Sequence, residues 1–384
     1  MKEGIQPAKA ALWTKDFCLI CLANLLLFAG FQILMPTLPL YVETLGGGRI
    51  AVGIVGGIFA ISAIIVRPIA GKLLDQGSRK NIFIIGLFIS LIAIIGYQWA
   101  GGLVLLLIFR LIHGIGFGMA TTSAGTIATD LIPSKRLGEG MGYYGLTNSF
   151  SMAVAPAIGL LVLFNSNFSI LFLVSAVLSI LALLTSYTIT CPDFERADRN
   201  REYKYLEPAA FLPSLVMLFT IMPFGAVVSF ISLYSIERGI DNIGFFFTAY
   251  ALALAVTRPS SGILADKYGY RRVVVPGTLC MAVAMYLISI AANPFLFAAA
   301  AVVFGLGIGF VMPSMQALTV RNVPPNRRGA ANGTFFSSFD IGIGLGSLIW
   351  GITAHYFGYS FMYTMTIIPI IIGLAIFLKY YKKA

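Results

Sequence analysis

Of the 15 acidic residues in this chain, 14 lie in polar segments or near the ends of apolar runs. The exception is Asp340, in the run FFSSFDIGIGLG. It follows Ala331 by nine residues, which is roughly 14 Å along a helix and close to the middle of a bilayer. A carboxylate at that depth has to pair with a cation, face water or take up a proton. One that alternates between an apolar setting and a cation's company binds and releases protons. Arg67, Arg110 and Arg258 also lie inside apolar runs. His113 follows Arg110 by three residues, so the two share a helix face, and histidine titrates near neutrality. Neither faces lipid cheaply, which points both toward an interior cavity. Asn24 and Gln32, eight residues apart on one helical face, and Asn148 offer neutral hydrogen bonds to a substrate or between helices. Proton coupling is therefore expected of Asp340 and His113. Substrate binding is expected of Arg110, Asn24, Gln32 and Asn148.

The elements that position these residues are membrane helices. Hydrophobic residues make up 58% of the chain and charged residues 11%, against about 25% charged in soluble proteins. A span needs roughly 20 apolar residues. Twelve such runs follow one another, the first near 17–42 and the last near 360–379. The first is too long for the apolar region of a cleaved leader and is expected to stay in place. Between the sixth and seventh runs lies the one strongly polar stretch, 191–208, expected to be a cytoplasmic linker. It separates an N-terminal half, 1–190, from a C-terminal half, 209–384. The net charge of +11 would suggest nucleic acid in a soluble protein. Here 21 of the 26 lysines and arginines fall on one side of the twelve runs, two (Arg49 and Arg238) on the other, and three inside. That bias makes the rich side cytoplasmic, with both termini there, and makes lipid rather than nucleic acid the partner. Cys18, Cys21, Cys191 and Cys280 lack metal-site spacing, and no cofactor or metal is expected. With no nucleophile–base pair, metal cluster or phosphate loop in the sequence, an enzyme is not expected either.

The halves repeat one another. RPIAGKLLD at 67–75 returns as RPSSGILAD at 258–266, so each interior arginine precedes an aspartate by eight residues. HGIGFGM at 113–119 resembles LGIGFVM at 306–312, and PSKRLGEGMG at 133–142 resembles PPNRRGAANG at 324–333. Such a repeat says that one half was built like the other. Retention of the arginine in both copies favours a shared structural task for Arg67 and Arg258. Asp340 falls opposite Ser149, so the fold does not demand an acid in both halves.

On these motifs the chain resembles the major facilitator superfamily over all twelve runs. GILADKYGYRR at 262–272 is similar to that family's loop motif throughout. GKLLDQGSRK at 71–80 keeps Gly71, Leu73, Asp75, Arg79 and Lys80 but has Gln76 where a base is usual. RLIHGIGFG at 110–118, AVAPAIG at 153–159 and PTLP at 36–39 resemble patterns of twelve-span drug:proton antiporters. The resemblance implies an all-α integral membrane fold, with twelve transmembrane helices in two six-helix pseudo-symmetric halves. It implies a substrate cavity lined by spans 1, 4, 7 and 10, with span 11 supplying the acid. It also implies a conformational latch in which Asp75, supported by Arg79 and Lys80, caps span 11. Asp266, Arg271 and Arg272 are expected to form the matching latch in the second half. The function implied is proton-coupled export by alternating access, performed by a monomer in a bacterial inner membrane. Three interior arginines against one aspartate favour an anionic or zwitterionic amphipathic metabolite, with a drug as the other candidate. A proton-independent facilitator or importer of a small metabolite such as a sugar is the alternative.

Overall fold

Backbone amides have no hydrogen-bond partners in lipid, so chains that cross a membrane satisfy them within helices or closed barrels. The computed structural model describes residues 11–47, 49–192, 205–240 and 243–381. Among the described residues it contains helices and turns but no strand. Twelve α-helices follow in order. They are α1 (Lys15–Thr44), α2 (Arg49–Gln76), α3 (Arg79–Gly96), α4 (Leu103–Leu131), α5 (Leu137–Asn165) and α6 (Phe168–Tyr187). After them come α7 (Pro208–Glu237), α8 (Gly244–Tyr268), α9 (Arg271–Ser289), α10 (Pro294–Arg321), α11 (Arg328–Met365) and α12 (Ile367–Tyr381). Residues 193–204 of the expected linker, and parts of both basic termini, lie outside the described residues.

Ten stretches among the described residues are long and apolar enough to cross a membrane. α8 is not one of them; Arg258 stands inside its apolar sequence, and Asp266 and Lys267 lie at its end. The last stretch, Pro325–Lys379, joins α11 to α12 and has 55 residues. At full helical rise that would be roughly 80 Å, far beyond a bilayer core of about 30 Å. It breaks at Gly358, whose φ of 79° is open to glycine and strained for other residues. The break falls between the eleventh and twelfth apolar runs read from the sequence.

Local chemistry sets several helix starts. Thr14, Asn167 and Asn293 cap α1, α6 and α10 by accepting hydrogen bonds from the amides of Phe17, Ile170 and Leu296. Outward-facing side chains such as Ile65, Val104, Phe164, Phe295 and Leu348 stay exposed, as expected where lipid is the solvent. Inside, close approach replaces hydrophobic drive, so small residues meet. The repeated glycines lie where the first six helices meet the last six. A Cβ added at Gly71 of α2 would come within 2.8 Å of the Gly329 carbonyl on α11. At Gly138 of α5 it would meet Asp266 of α8 at 2.8 Å. α2 thus packs on α11 and α5 on α8.

These contacts predict opposite responses to the same substitution. Gly71→Ala should lower the thermal midpoint of the purified protein, because backbone rather than a flexible side chain faces the added methyl. Gly53→Ala, on the same helix with nothing within 4 Å, should leave it unchanged or raise stability by up to about 1 kcal/mol.

Candidate functional site

The two interior arginines of the repeat have different partners. Arg67 on α2 is 4% exposed and donates from Nε to Asp340 Oδ2 on α11 at 2.8 Å. Its Nη1 reaches Thr121 at 2.9 Å and Thr122 at 3.3 Å on α4, and its guanidinium lies 5.1 Å from the Phe336 ring centre. The deep acid is therefore ion-paired, and the pair joins helices from opposite ends of the chain. Arg258 on α8 is equally buried, but the residue opposite Asp340 in the repeat is Ser149. Arg258 donates instead to the Gly145 carbonyl on α5, which also accepts from the Ser149 hydroxyl at 3.4 Å. The shared task expected of the two arginines holds only in part. Both tie helices across the molecule, and Arg67 alone has a carboxylate partner among the described residues.

Beyond this layer, the basic end is held by two carboxylates capping helix starts. Asp75, fully buried, accepts from the amides of Gly329 and Ala330 at 2.7 and 3.0 Å. Asp266 accepts from Gly138 and Glu139 at 3.0 and 2.8 Å. Open amides and the helix dipole both favour an anion at a helix start. Of the expected helpers, Arg79 feels the charge of Asp75 while also bonding to other groups. Arg79 is directed to Asp130 at the end of α4 and to the Pro325 carbonyl, and Asp130 also accepts from Arg328 at 2.9 Å. Asp130 thus ties the start of α3 to the start of α11, a task its sequence context did not disclose. Lys80 donates to the Tyr187 carbonyl at the end of α6, at 2.6 Å, because its position on α3 turns it away from α11. Arg271 and Arg272 are exposed at the start of α9.

A cavity lies among six of the helices. It is lined from α1 by Asn24 and Phe28, from α4 by Thr121 and from α5 by Tyr144 and Asn148. Arg258, Gln316 and Phe336 complete its wall from α8, α10 and α11. α1, α4 and α10 contribute as the resemblance implied, whereas α7 is absent from the lining and α5 and α8 take part. Asn24 is 1% exposed, donates to Thr147 at 2.7 Å and accepts from Tyr144 at 3.0 Å, so it also fastens α1 to α5. Asn148 is half-buried. Sequence reading missed Gln316, and it set Arg258 aside. The repeat carried the signal for Arg258, since an arginine facing serine where its twin faces aspartate lacks a counter-charge.

Arg110, His113 and Gln32 are not on this cavity's wall. His113 precedes Thr121 by eight residues, roughly 12 Å along α4, and so stands apart from the Arg67–Asp340 pair. It is 1% exposed, lies 2.9 Å from the Tyr97 hydroxyl, and sits among Phe31, Phe59 and Phe117. Arg110 donates to the Val55 carbonyl at 3.3 Å with its guanidinium 4.4 Å from the Phe59 ring centre. The expectation that both face the cavity is corrected on this point: carbonyl and aromatic faces shelter them instead. Gln32 is half-buried on α1, roughly 12 Å from Asn24.

The capping geometry yields a prediction. Asp75→Asn replaces a charged acceptor by a neutral one and forfeits about 1–2 kcal/mol at the α2–α11 contact. A cysteine introduced by Ala331→Cys in a background lacking the four native cysteines is buried here. Its labelling by a polar thiol reagent from the basic side should rise about tenfold when Asp75→Asn is added.

Comparison with known proteins agrees with this architecture. A sequence model described as Major Facilitator Superfamily matches residues 20–241 and 213–384. An uncharacterized MFS-type transporter of Methanocaldococcus jannaschii is 24% identical, covering 95% of this chain and 98% of that protein. The staphylopine export protein of Staphylococcus aureus is also 24% identical, covering 94% and 96%. Among solved structures, the human organic anion transporter MFSD10 (TETRAN) superposes with a TM-score of 0.84 at 16% identity, covering 94% of this chain and 98% of that one. Two matches of one sequence model, together spanning nearly the whole helical chain, establish that it belongs to the major facilitator superfamily, multi-pass membrane transporters of small molecules.

Proposed function

We propose that the protein is a proton-coupled antiporter that exports a small amphipathic metabolite, anionic or zwitterionic, or a drug. Its twelve helices act as twelve spans in two six-helix halves, 1–190 and 209–384, joined by a cytoplasmic linker. Both termini lie in the cytosol, and the membrane is a bacterial inner membrane. The observation that carries the reading is the 2.8 Å ion pair between Arg67 on α2 and Asp340 on α11. It spans a contact that must part for the basic, cytoplasmic end to open. While Asp340 is ionised, the pair and the Asp75 cap hold that end shut. A proton arriving from outside neutralises Asp340, releases Arg67 and lets the halves rock toward an inward-open state. Substrate then enters from the cytosol, the proton leaves, and the pair forms again around the loaded cavity. Export is supported by the kinship with a staphylopine export protein. An anionic cargo is supported by Arg258, a buried arginine on the cavity wall with no carboxylate partner among the described residues.

Reconstitution in liposomes containing a pH-sensitive dye tests the coupling. Wild type, screened with pooled metabolites and drugs, should show substrate-dependent proton flux. Asp340→Asn should lower that flux at least about tenfold while substrate binding persists. A substrate that crosses both proteins without moving protons would make the Arg67–Asp340 pair a fixed strut and the protein a facilitator.

A further inference from the structure

The cavity poses a charge problem that the Arg67–Asp340 pair does not solve. Arg258 lines it, is 4% exposed, and has no carboxylate partner among the described residues. Its Nη1 donates to the Gly145 carbonyl and its Nη2 meets the Met312 sulfur at 3.1 Å. Its Nε finds no acceptor among the described residues. Gln316 lines the same cavity, is 3% exposed, and its Nε2 is likewise without an acceptor. Four residues separate it from Met312 on α10, so it stands one helical turn from the sulfur that Arg258 touches. Two buried donors, one of them charged, therefore border one space. Groups of this kind are ordinarily satisfied, and leaving one unpaired is costly, more so when it is charged.

A carboxylate supplies both missing quantities: a negative charge for the guanidinium and acceptor lone pairs for two separate N–H groups. A cation would meet Arg258 with repulsion, and a neutral amide would leave the charge uncompensated. The rings of Phe28 and Phe336 give the wall an apolar part beside these donors. We propose that this cavity binds the carboxylate of an amphipathic aromatic substrate through Arg258 Nε and Gln316 Nε2. The proposal deepens the transporter reading and rests on it, but it does not require proton coupling. With the basic end shut the cavity measures about 20 Å³, room for roughly one water, so the carboxylate is seated as the helices part. Binding the substrate's charge there offsets the cost of the lone arginine, which ties occupancy to the α5–α8 contact.

The test is thermal unfolding of the purified full chain with three matched probes: benzoate, benzamide and benzylamine. A ligand that binds only the folded state raises the midpoint in proportion to its affinity. Benzoate should raise it saturably and the other two should not. Arg258→Met and Gln316→Leu should each weaken benzoate binding at least about tenfold, and Arg258→Lys should restore part of the loss. Removing an unpaired buried charge should leave the unliganded midpoint of Arg258→Met unchanged or higher, whereas a purely structural bolt predicts a fall. Equal stabilisation by benzamide or benzylamine, no benzoate-specific shift, or wild-type benzoate affinity in both variants overturns the proposal. Asp340→Asn should still bind benzoate. Benzoate binding in a protein that moves no protons therefore defeats only the coupling reading, and proton flux driven by cations alone defeats only this one.

Discussion

A charge inside a bilayer is tolerated only when something neutralises it. In this protein that constraint decides which helices meet. Arg67 is buried in α2, and Asp340 stands about halfway along the bilayer crossing of α11 with its side chain 21% exposed, so the two pair. Their pairing draws α2 and α11 together. With those helices in register, Gly71 lies against Gly329, and Asp75 is presented to the amides of Gly329 and Ala330. Without small residues at the crossing the carboxylate would stop short of the helix start. The glycines, the cap and the ion pair form one continuous seam rather than three separate contacts.

The second seam, between α5 and α8, follows the same plan with one change. Gly138 and Gly262 are in close approach, and Asp266 caps the start of α5. Where the first seam has an acid, this one has Ser149, so its arginine turns to a backbone carbonyl and a sulfur. Symmetry in shape is thereby combined with asymmetry in charge. On the present account the asymmetry divides the labour: the complete pair responds to protons, and the incomplete one responds to cargo.

Much of this was legible in the sequence, for identifiable reasons. Runs of apolar residues can be counted because lipid forces each to be a helix, and even the break at Gly358 fell where the hydropathy dipped. The capping aspartates were legible because a repeated motif fixed their place at helix ends. Partners of long side chains were not. Lys80 and Arg79 are adjacent in sequence, yet one reaches α6 and the other Asp130 on α4, since neighbours on a helix point about 100° apart. His113 and Arg110 were expected on the cavity because they are polar, whereas His113 pairs with the Tyr97 hydroxyl among phenylalanines and Arg110 turns to the Val55 carbonyl and the Phe59 ring. Which polar residue faces a cavity and which is sheltered depends on helix rotation, and a single sequence carries little information about that.

The central claim is that the charge state of Asp340 governs the α2–α11 seam. It is tested most directly by spin labels placed at the basic ends of these helices, with inter-label distances measured in lipid nanodiscs from pH ~8 down to pH ~3.5, a range that reaches the usual carboxylate values. The account predicts that a longer-distance population grows as the pH falls in wild type. In Asp340→Asn, whose side chain cannot carry the charge, that population should be present at every pH. Distances that stay the same in wild type across this range, or that shift equally in Asp340→Asn, would contradict it.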